Sequence, residues 1–270
     1  MTDHISPILH RLHAEAPLVH AITNPISITQ CANAVLALGA RPIMAEHPRE
    51  AAQITRTAAA LLLNLGNITD VRMEAMALSA RAAREQKIPA VLDAVGAACS
   101  DLRRAYALSL LAHTPPAVIK GNYPEIRALV CPDYTASGVD GDACLSAQEA
   151  AKAAAELARR YGAVVLASGK ADIVTDGSRT VLVHNGTPQL GQITGTGCML
   201  GAVCACCLAA APAFEAAVSA CVLLGVAGER AETPRGSGTF FVNLMDELST
   251  LDGRTVFLSQ HTEEYHLENA

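Results

Sequence analysis

The stretch GQITGTGCML, Gly191 to Leu200, sets Gly195, Thr196 and Gly197 directly before Cys198 and then opens a long run of small apolar residues. Where a glycine-rich turn leads from a strand-like region into a helix, the first backbone N–H groups lack partners, and such a terminus attracts anions. No Gly-Lys-Ser/Thr follows, so this is not a Walker A loop, and the GxGxxG dinucleotide spacing is absent. Cys198 falls in the first turn of the predicted helix, where the dipole and free amides stabilise a thiolate. Cys204, Cys206 and Cys207 lie further along and read as small core hydrophobes. Two chemistries suit Cys198. As a nucleophile it needs a histidine base, and His20 and His184 are the candidates. As a proton acceptor from a substrate hydroxyl it would work while the amides hold a transferring phosphoryl group. The structural alternative is a tight turn into a core helix.

Those residues need elements to hold them, and strand-like runs alternate with helical ones along the chain. Helices are predicted over Ser27 to Leu38, Thr69 to Gln86, Asp101 to Ala112, Tyr123 to Val130 and Ser146 to Tyr161. Strands are predicted at Arg41 to Ala45, Ala60 to Leu65, Ala90 to Asp93, Ala117 to Lys120 and Ala163 to Ala167. Strand and helix in turn imply an α/β fold with a parallel sheet covered on both faces. Asp172 to Thr175 and Thr180 to His184 flank Asp176-Gly177 and read as an antiparallel edge hairpin. Gly197 to Ala210, Ala213 to Arg230 and Gly238 to Leu248 form a helical last third, broken at Pro212 and Pro234. The Glu/His-rich tail after about residue 259 is expected to fray, and residues 1–270 show no internal domain boundary.

In open parallel sheets ligands bind beyond the carboxyl ends of strands. Polar residues stand there repeatedly: Asn64 with Gly66, Asp93, Lys120 with Gly121 and Asn122, and Ser168 with Gly169. A single Asp after a strand is often only a helix cap. Four polar strand ends together point to a site.

Composition narrows the partners. Apolar residues make up 51% of the chain and aromatics only 3%, so the core is aliphatic and alanine-rich. The formal net charge is −6 with scattered Lys and Arg, which argues against nucleic acid and a polybasic membrane contact and favours small-molecule chemistry. No apolar run reaches the roughly 18 to 20 residues that span a bilayer, and MTDHISPILHRLHAEAP lacks the order of a signal peptide, so a cytoplasmic location is expected. The nine cysteines are odd in number and sit mostly in apolar segments, as reduced core thiols do, and although Cys204 and Cys207 could share a helix face, no nearby histidine or second thiol pair completes a zinc site.

From PLVHAITNPISITQCANAVLALGARPIMA through LLLNLG, VLDAVGA, IKGNYPEI and LASGKADIV to GTGCML, the chain resembles the hydroxyethylthiazole kinases of thiamin salvage. The resemblance implies a ribokinase-like three-layer αβα sandwich whose mostly parallel central sheet carries the antiparallel edge hairpin. It implies γ-phosphoryl transfer from ATP, with Mg²⁺, to the hydroxyethyl oxygen of 4-methyl-5-(2-hydroxyethyl)thiazole, in a homotrimer with active sites between subunits. Asn122-Tyr123-Pro124-Glu125 resembles the NxxE motif whose glutamate holds magnesium through water, and Asp93 resembles its acidic partner. Lys120, Ser168, Thr196 and Gly197 fall where the family contacts ATP. Asn24, Ile26, Met44 and Gly195 fall on the thiazole side, and Cys198 matches a cysteine that stands where most ribokinase-like relatives carry an aspartate base.

Two departures stand out. Lysine at 120 replaces a frequent arginine, losing a planar two-pronged donor. The usual Asp-Pro-Val-Gly-Ala-Gly run is here Asp93-Ala94-Val95-Gly96-Ala97-Ala98, with Arg103 following. The rival reading is hydroxymethylpyrimidine kinase, which shares the GTGC turn but opens with a glycine-rich segment where this chain has AITNPISITQCANAV. A catalytically inactive ligand-binding relative is the third.

Overall fold

The computed structural model describes residues 2–131, 133–134 and 145–266. Five parallel crossovers build most of it. Strands β1 (Leu18–Ile22), β2 (Arg41–Ile43), β3 (Ala60–Asn64), β4 (Ala90–Asp93), β5 (Val118–Asn122) and β6 (Val164–Ser168) run parallel. Strands β7 (Asp172–Thr175), β8 (Thr180–Val183) and β9 (Thr262–Glu264) continue the sheet antiparallel at one edge. The order across the nine strands is β2-β1-β3-β4-β5-β6-β7-β8-β9.

Alternate residues of the strands feed opposite cores, as a pleated period of two requires. Leu62, Val91, Val118, Leu166 and Val174 face one core with helices α1 (Ile5–Glu15), α2 (Ile28–Ala37), α8 (Thr196–Leu208), α9 (Ala213–Ala231), α10 (Ser237–Ser249) and α11 (Gly253–Leu258). Leu61, Leu63, Leu92, Ile119 and Val165 face the other, with α3 (Pro48–Thr55), α4 (Asp70–Gln86), α5 (Asp101–His113), α6 (Tyr123–Val130) and α7 (Ala147–Tyr161). The predicted three layers and the edge hairpin are therefore present. Sheets buried on both faces demand near-continuous apolar strands, which ALLLN in β3 supplies.

Two expectations change. The tail does not fray throughout: Thr262–Glu264 pairs with β8, with Val183 opposite Thr262 and Val181 opposite Glu264. The segment leading into the opening glycine turn is not a strand but a 3₁₀ turn, Pro188–Gln192. Among the described residues no helix is long and apolar enough to cross a membrane.

Candidate active site

The parallel register lines up the polar strand ends. Asn64 stands opposite Asp93, and Asp93 opposite Lys120, so three side chains from β3, β4 and β5 sit in one row at the carboxyl edge. One strand further, Asn122 stands opposite Ser168. Neighbouring strands are about 4.8 Å apart, which puts such side chains within hydrogen-bonding reach of each other.

Asp93 is fully buried and Lys120 is 3% exposed, with Nζ 3.0 Å from Asp93 Oδ1. Asn64 Nδ2 donates to the other carboxylate oxygen at 2.7 Å. Burial pushes the Asp93 carboxyl up, against the pull of Lys120 and Asn64. For Lys120 burial acts downward, but the charges of Asp93 and Glu125 outweigh it and hold the ammonium above its ordinary range. Two charges out of water are tolerated because each partners the other. Lys120 Nζ also lies beside Gly197, 3.6 Å from where a side chain at that position would begin.

Cys198 lies in the first turn of α8, as predicted, and is half-buried. Gly195 caps this helix at φ +95 with no side-chain hydrogen bond to the first turn, so the leading amides carry no cap. The Thr196 hydroxyl turns back to the carbonyls of Leu190 and Ile193, at 2.8 and 3.2 Å. That leaves its backbone N–H among the leading amides of the helix. The Cys198 sulfur accepts a hydrogen bond from Asn24 Nδ2 at 3.2 Å.

Neither histidine serves as the base. His20 is fully buried in β1, with Nε2 2.8 Å from the Ala45 carbonyl and Nδ1 2.9 Å from the Thr55 hydroxyl. Because a carbonyl only accepts, Nε2 carries the proton, and burial lowers the pKa of the ring. His184 pairs with Glu263 at 3.2 Å on the sheet edge. His20 instead pins the chain that follows Met44, itself half-buried just past β2.

Glu125 is 3% exposed and is used by the protein itself. Its oxygens accept from the N–H of Gly96 and of Asn122, both at 2.7 Å, while the Glu125 amide donates to Asn122 Oδ1, closing a capping box at the start of α6. Burial pushes the Glu125 carboxyl up to about 7, opposed by Lys120. This contact settles what holds the altered loop after Asp93. Gly96, at φ +79, delivers its amide to Glu125, and Arg103 donates to the Val95 carbonyl at 3.4 Å. Ala94 keeps an N–H that proline would lack and donates it to Lys120 O at 2.8 Å, extending the β4–β5 ladder. Ala98 keeps a negative φ, so glycine is not required there.

The remaining predicted residues lie on the same edge. Ser168 ends β6 and donates to the Gly121 carbonyl at a long 3.4 Å. Asn24 follows β1 and is 4% exposed, whereas Ile26 is 59% exposed. Asn64 is the residue whose part the sequence understates: its place at a strand end is visible, but its partners depend on register. Magnesium fits the donor set. Asp93 and Glu125 are hard oxygen donors, and the bonds to Glu125 leave lone pairs for water. Among the described residues no three His, Cys, Asp or Glu side chains gather into a protein-only cage. That suits a cation held mainly by phosphates and water.

A family model described as the hydroxyethylthiazole kinase family matches residues 9–254. Hydroxyethylthiazole kinase 2 of Clostridium botulinum is 43% identical over 240 residues, covering 87% of this chain and 91% of that protein. A hydroxyethylthiazole kinase structure from Pyrococcus horikoshii superposes with TM-score 0.89 at 34% identity, covering 98% of this chain and 100% of that one. A ribokinase-like superfamily protein from Enterococcus faecalis superposes with TM-score 0.66 at 13% identity, covering 90% of this chain and 89% of that one, a likeness of fold alone.

Proposed function

The chain belongs to the hydroxyethylthiazole kinase family, with the ribokinase-like fold, and phosphorylates hydroxyethylthiazole; we propose that it does so with Mg-ATP at the carboxyl edge of β3 to β6 and the N-terminus of α8. The observation that carries this placement is the uncapped first turn of α8, with Cys198 in it, standing next to Lys120 and the buried Asp93.

In this reading the free amides from Thr196 to Cys198 receive the transferring phosphoryl group, and Lys120 adds its charge beside Gly197. Cys198 takes the proton from the hydroxyethyl oxygen. Ser168 and the Thr196 backbone contact ATP, and Gly195 lets the chain approach the substrate. Asp93 and Glu125 would hold Mg²⁺, Glu125 through water, and the ion when bound would offset charge on the phosphates in a loose transition state. Asn24, Ile26 and Met44 wall the thiazole, Met44 offering a polarizable contact to a sulfur-containing ring. Asn24 has no polar atom to spare: Nδ2 serves Asn64 and Cys198, and Oδ1 takes the amides of Ile26 and Ser27, each at 3.1 Å. It shapes the wall rather than hydrogen-bonding the ring.

The exposure of Ile26 supports a homotrimer with shared sites, because a substrate wall left open in one chain is closed by another. Activity should then fall on dilution in step with the trimer seen by light scattering, and a fully active monomer would remove the shared site. A cytoplasmic setting is the expected place for this reaction. The deciding assay for donor and acceptor follows ADP release with Mg-ATP and either the hydroxyethyl thiazole or the hydroxymethyl pyrimidine, with product mass confirmed. Thiazole monophosphate is the expected product. Turnover of pyrimidine alone would move the assignment to the rival kinase, and none with either would leave a binding protein.

A further inference from the structure

Four side chains form one continuous line, buried as far as Asn24, from the acidic edge of the site to the half-buried sulfur. Asp93 Oδ2 accepts from Asn64 Nδ2 at 2.7 Å, Asn64 Oδ1 accepts from Asn24 Nδ2 at 3.0 Å, and Asn24 Nδ2 reaches Cys198 Sγ at 3.2 Å. An asparagine amide can in principle face either way. Here each is fixed by groups whose polarity cannot invert. The Gly66 amide donates to Asn64 Oδ1 at 2.9 Å, and a backbone N–H cannot accept. That turns Asn64 Nδ2 toward Asp93, which as a carboxylate only accepts. The amides of Ile26 and Ser27 likewise fix Asn24 Oδ1, so an N–H and not an oxygen faces the sulfur.

We propose that Asn64 is a positioning residue, which completes the hold that the Ile26 and Ser27 amides begin by anchoring Asn24 Nδ2, so that its N–H is presented to Cys198 and the sulfur stays an acceptor. The arrangement leaves the sulfur free to take a proton from a hydroxyl rather than compete as a donor. Gly66 is part of it: a Cβ there would come within 2.8 Å of Asn24 Nδ2 and 2.9 Å of Asn64 Oδ1, so the contact needs glycine. The register of β3 against β4 fixes the other end, since Asn64 and Asp93 are paired positions. The catalytic consequence rests on Cys198 as proton acceptor, whereas the effect on the sulfur does not.

Two readouts separate these. In the ligand-free protein, alkylation of Cys198 by iodoacetamide at a fixed neutral pH, followed on its own peptide by mass spectrometry, reports the sulfur. Asn64→Leu, which keeps the branched shape without polarity, should slow it at least about fivefold, because the sulfur loses the donor held against it. In turnover Asn64→Leu should lower kcat about tenfold with little change in KM, and it should add nothing in a Cys198→Ala background. Unchanged alkylation in a folded Asn64→Leu protein overturns the positioning role. Slower alkylation with equal kcat losses in both backgrounds keeps the sulfur contact but removes its catalytic use. Should Asn64→Leu fail to fold, Asn24→Asp is read by the same alkylation, since it keeps the bonds to Ile26 and Ser27 but offers the sulfur no donor. A fivefold slowing is again expected, and a wild-type rate overturns the proposal.

Discussion

At the scale of single residues, the site depends on how much proton transfer contributes and how much charge the interior tolerates. In a loose transition state the hydroxyl proton leaves late, so a weaker acceptor slows the reaction without stopping it. Cys198→Ser should lower kcat by about 10- to 100-fold and leave the melting temperature within a degree or two of wild type, since the side chain is half-buried and serine fills nearly the same space. Steady-state kinetics beside a thermal melt checks this, and an equal loss of stability would return Cys198 to a packing role. Lys120 answers differently. Replacing it by Met strands the buried Asp93 charge and should cost about 3–5 kcal/mol in urea unfolding. Adding Asp93→Asn should recover most of that stability while activity stays low, because the double variant removes the stranded charge together with the metal-side carboxylate.

At the scale of elements, the N-terminus of α8 is only as good as the turn that delivers it. Gly195 sits at φ +95, and a Cβ there would lie 2.8 Å from the Ser27 Cβ at the entry to α2. Gly195→Ala therefore carries both left-handed strain and a clash, about 1–3 kcal/mol together, and should displace the uncapped amides from the phosphate path. A kcat/KM loss of tenfold or more is expected, larger than the fall in stability alone would give, and kinetics well below the melting temperature would show it. Elements like this one are legible because their cause is local: glycines before a small-residue run mark the start of α8, and the apolar run ALLLN marks β3. Where the cause is non-local the sequence is silent. LVHAI carries His20 in mid-strand, and only the fold reveals Thr55 and Ala45 as its partners. Thr262–Glu264 has no apolar alternation and is a strand solely because β8 offers an open edge some eighty residues earlier. In the site, strand ends are readable as polar positions, but the pairing of Asn64 with Asp93 follows from register, which no single strand specifies.

At the scale of the whole molecule, stability against pH is a sum over groups whose affinity for protons changes on folding, and two buried groups here act with opposite sign. Glu125 is raised to about 7 in the folded chain from an ordinary 4.5, chiefly by burial. Between those values the folded state binds the proton more tightly, so its contribution is fully present below 4.5 and is lost as pH rises through 7. His20 is lowered by burial from an ordinary 6.5, so its contribution is present above 6.5 and is lost as pH falls, when the unfolded chain takes a proton that the folded chain refuses. Neither sign is readable from the wild-type curve alone, because other buried carboxyls, such as Asp172 at about 6, act alongside Glu125. Differences isolate them. With metal chelated, no nucleotide added and protein concentration held constant, urea unfolding of wild type and of Glu125→Gln should diverge on acidification from pH 7.5 to 4.5. Wild type gains about 3 kcal/mol on the variant. Against His20→Gln the sign reverses, and wild type loses stability relative to the variant as pH falls from 7.5 to 5.5. Mg-ATP should shrink the first difference, because a cation held through Glu125 favours its charged form and opposes the proton that burial invites. A first difference unmoved by Mg-ATP would mean that Glu125 serves only the turn at Gly96 and the capping of α6.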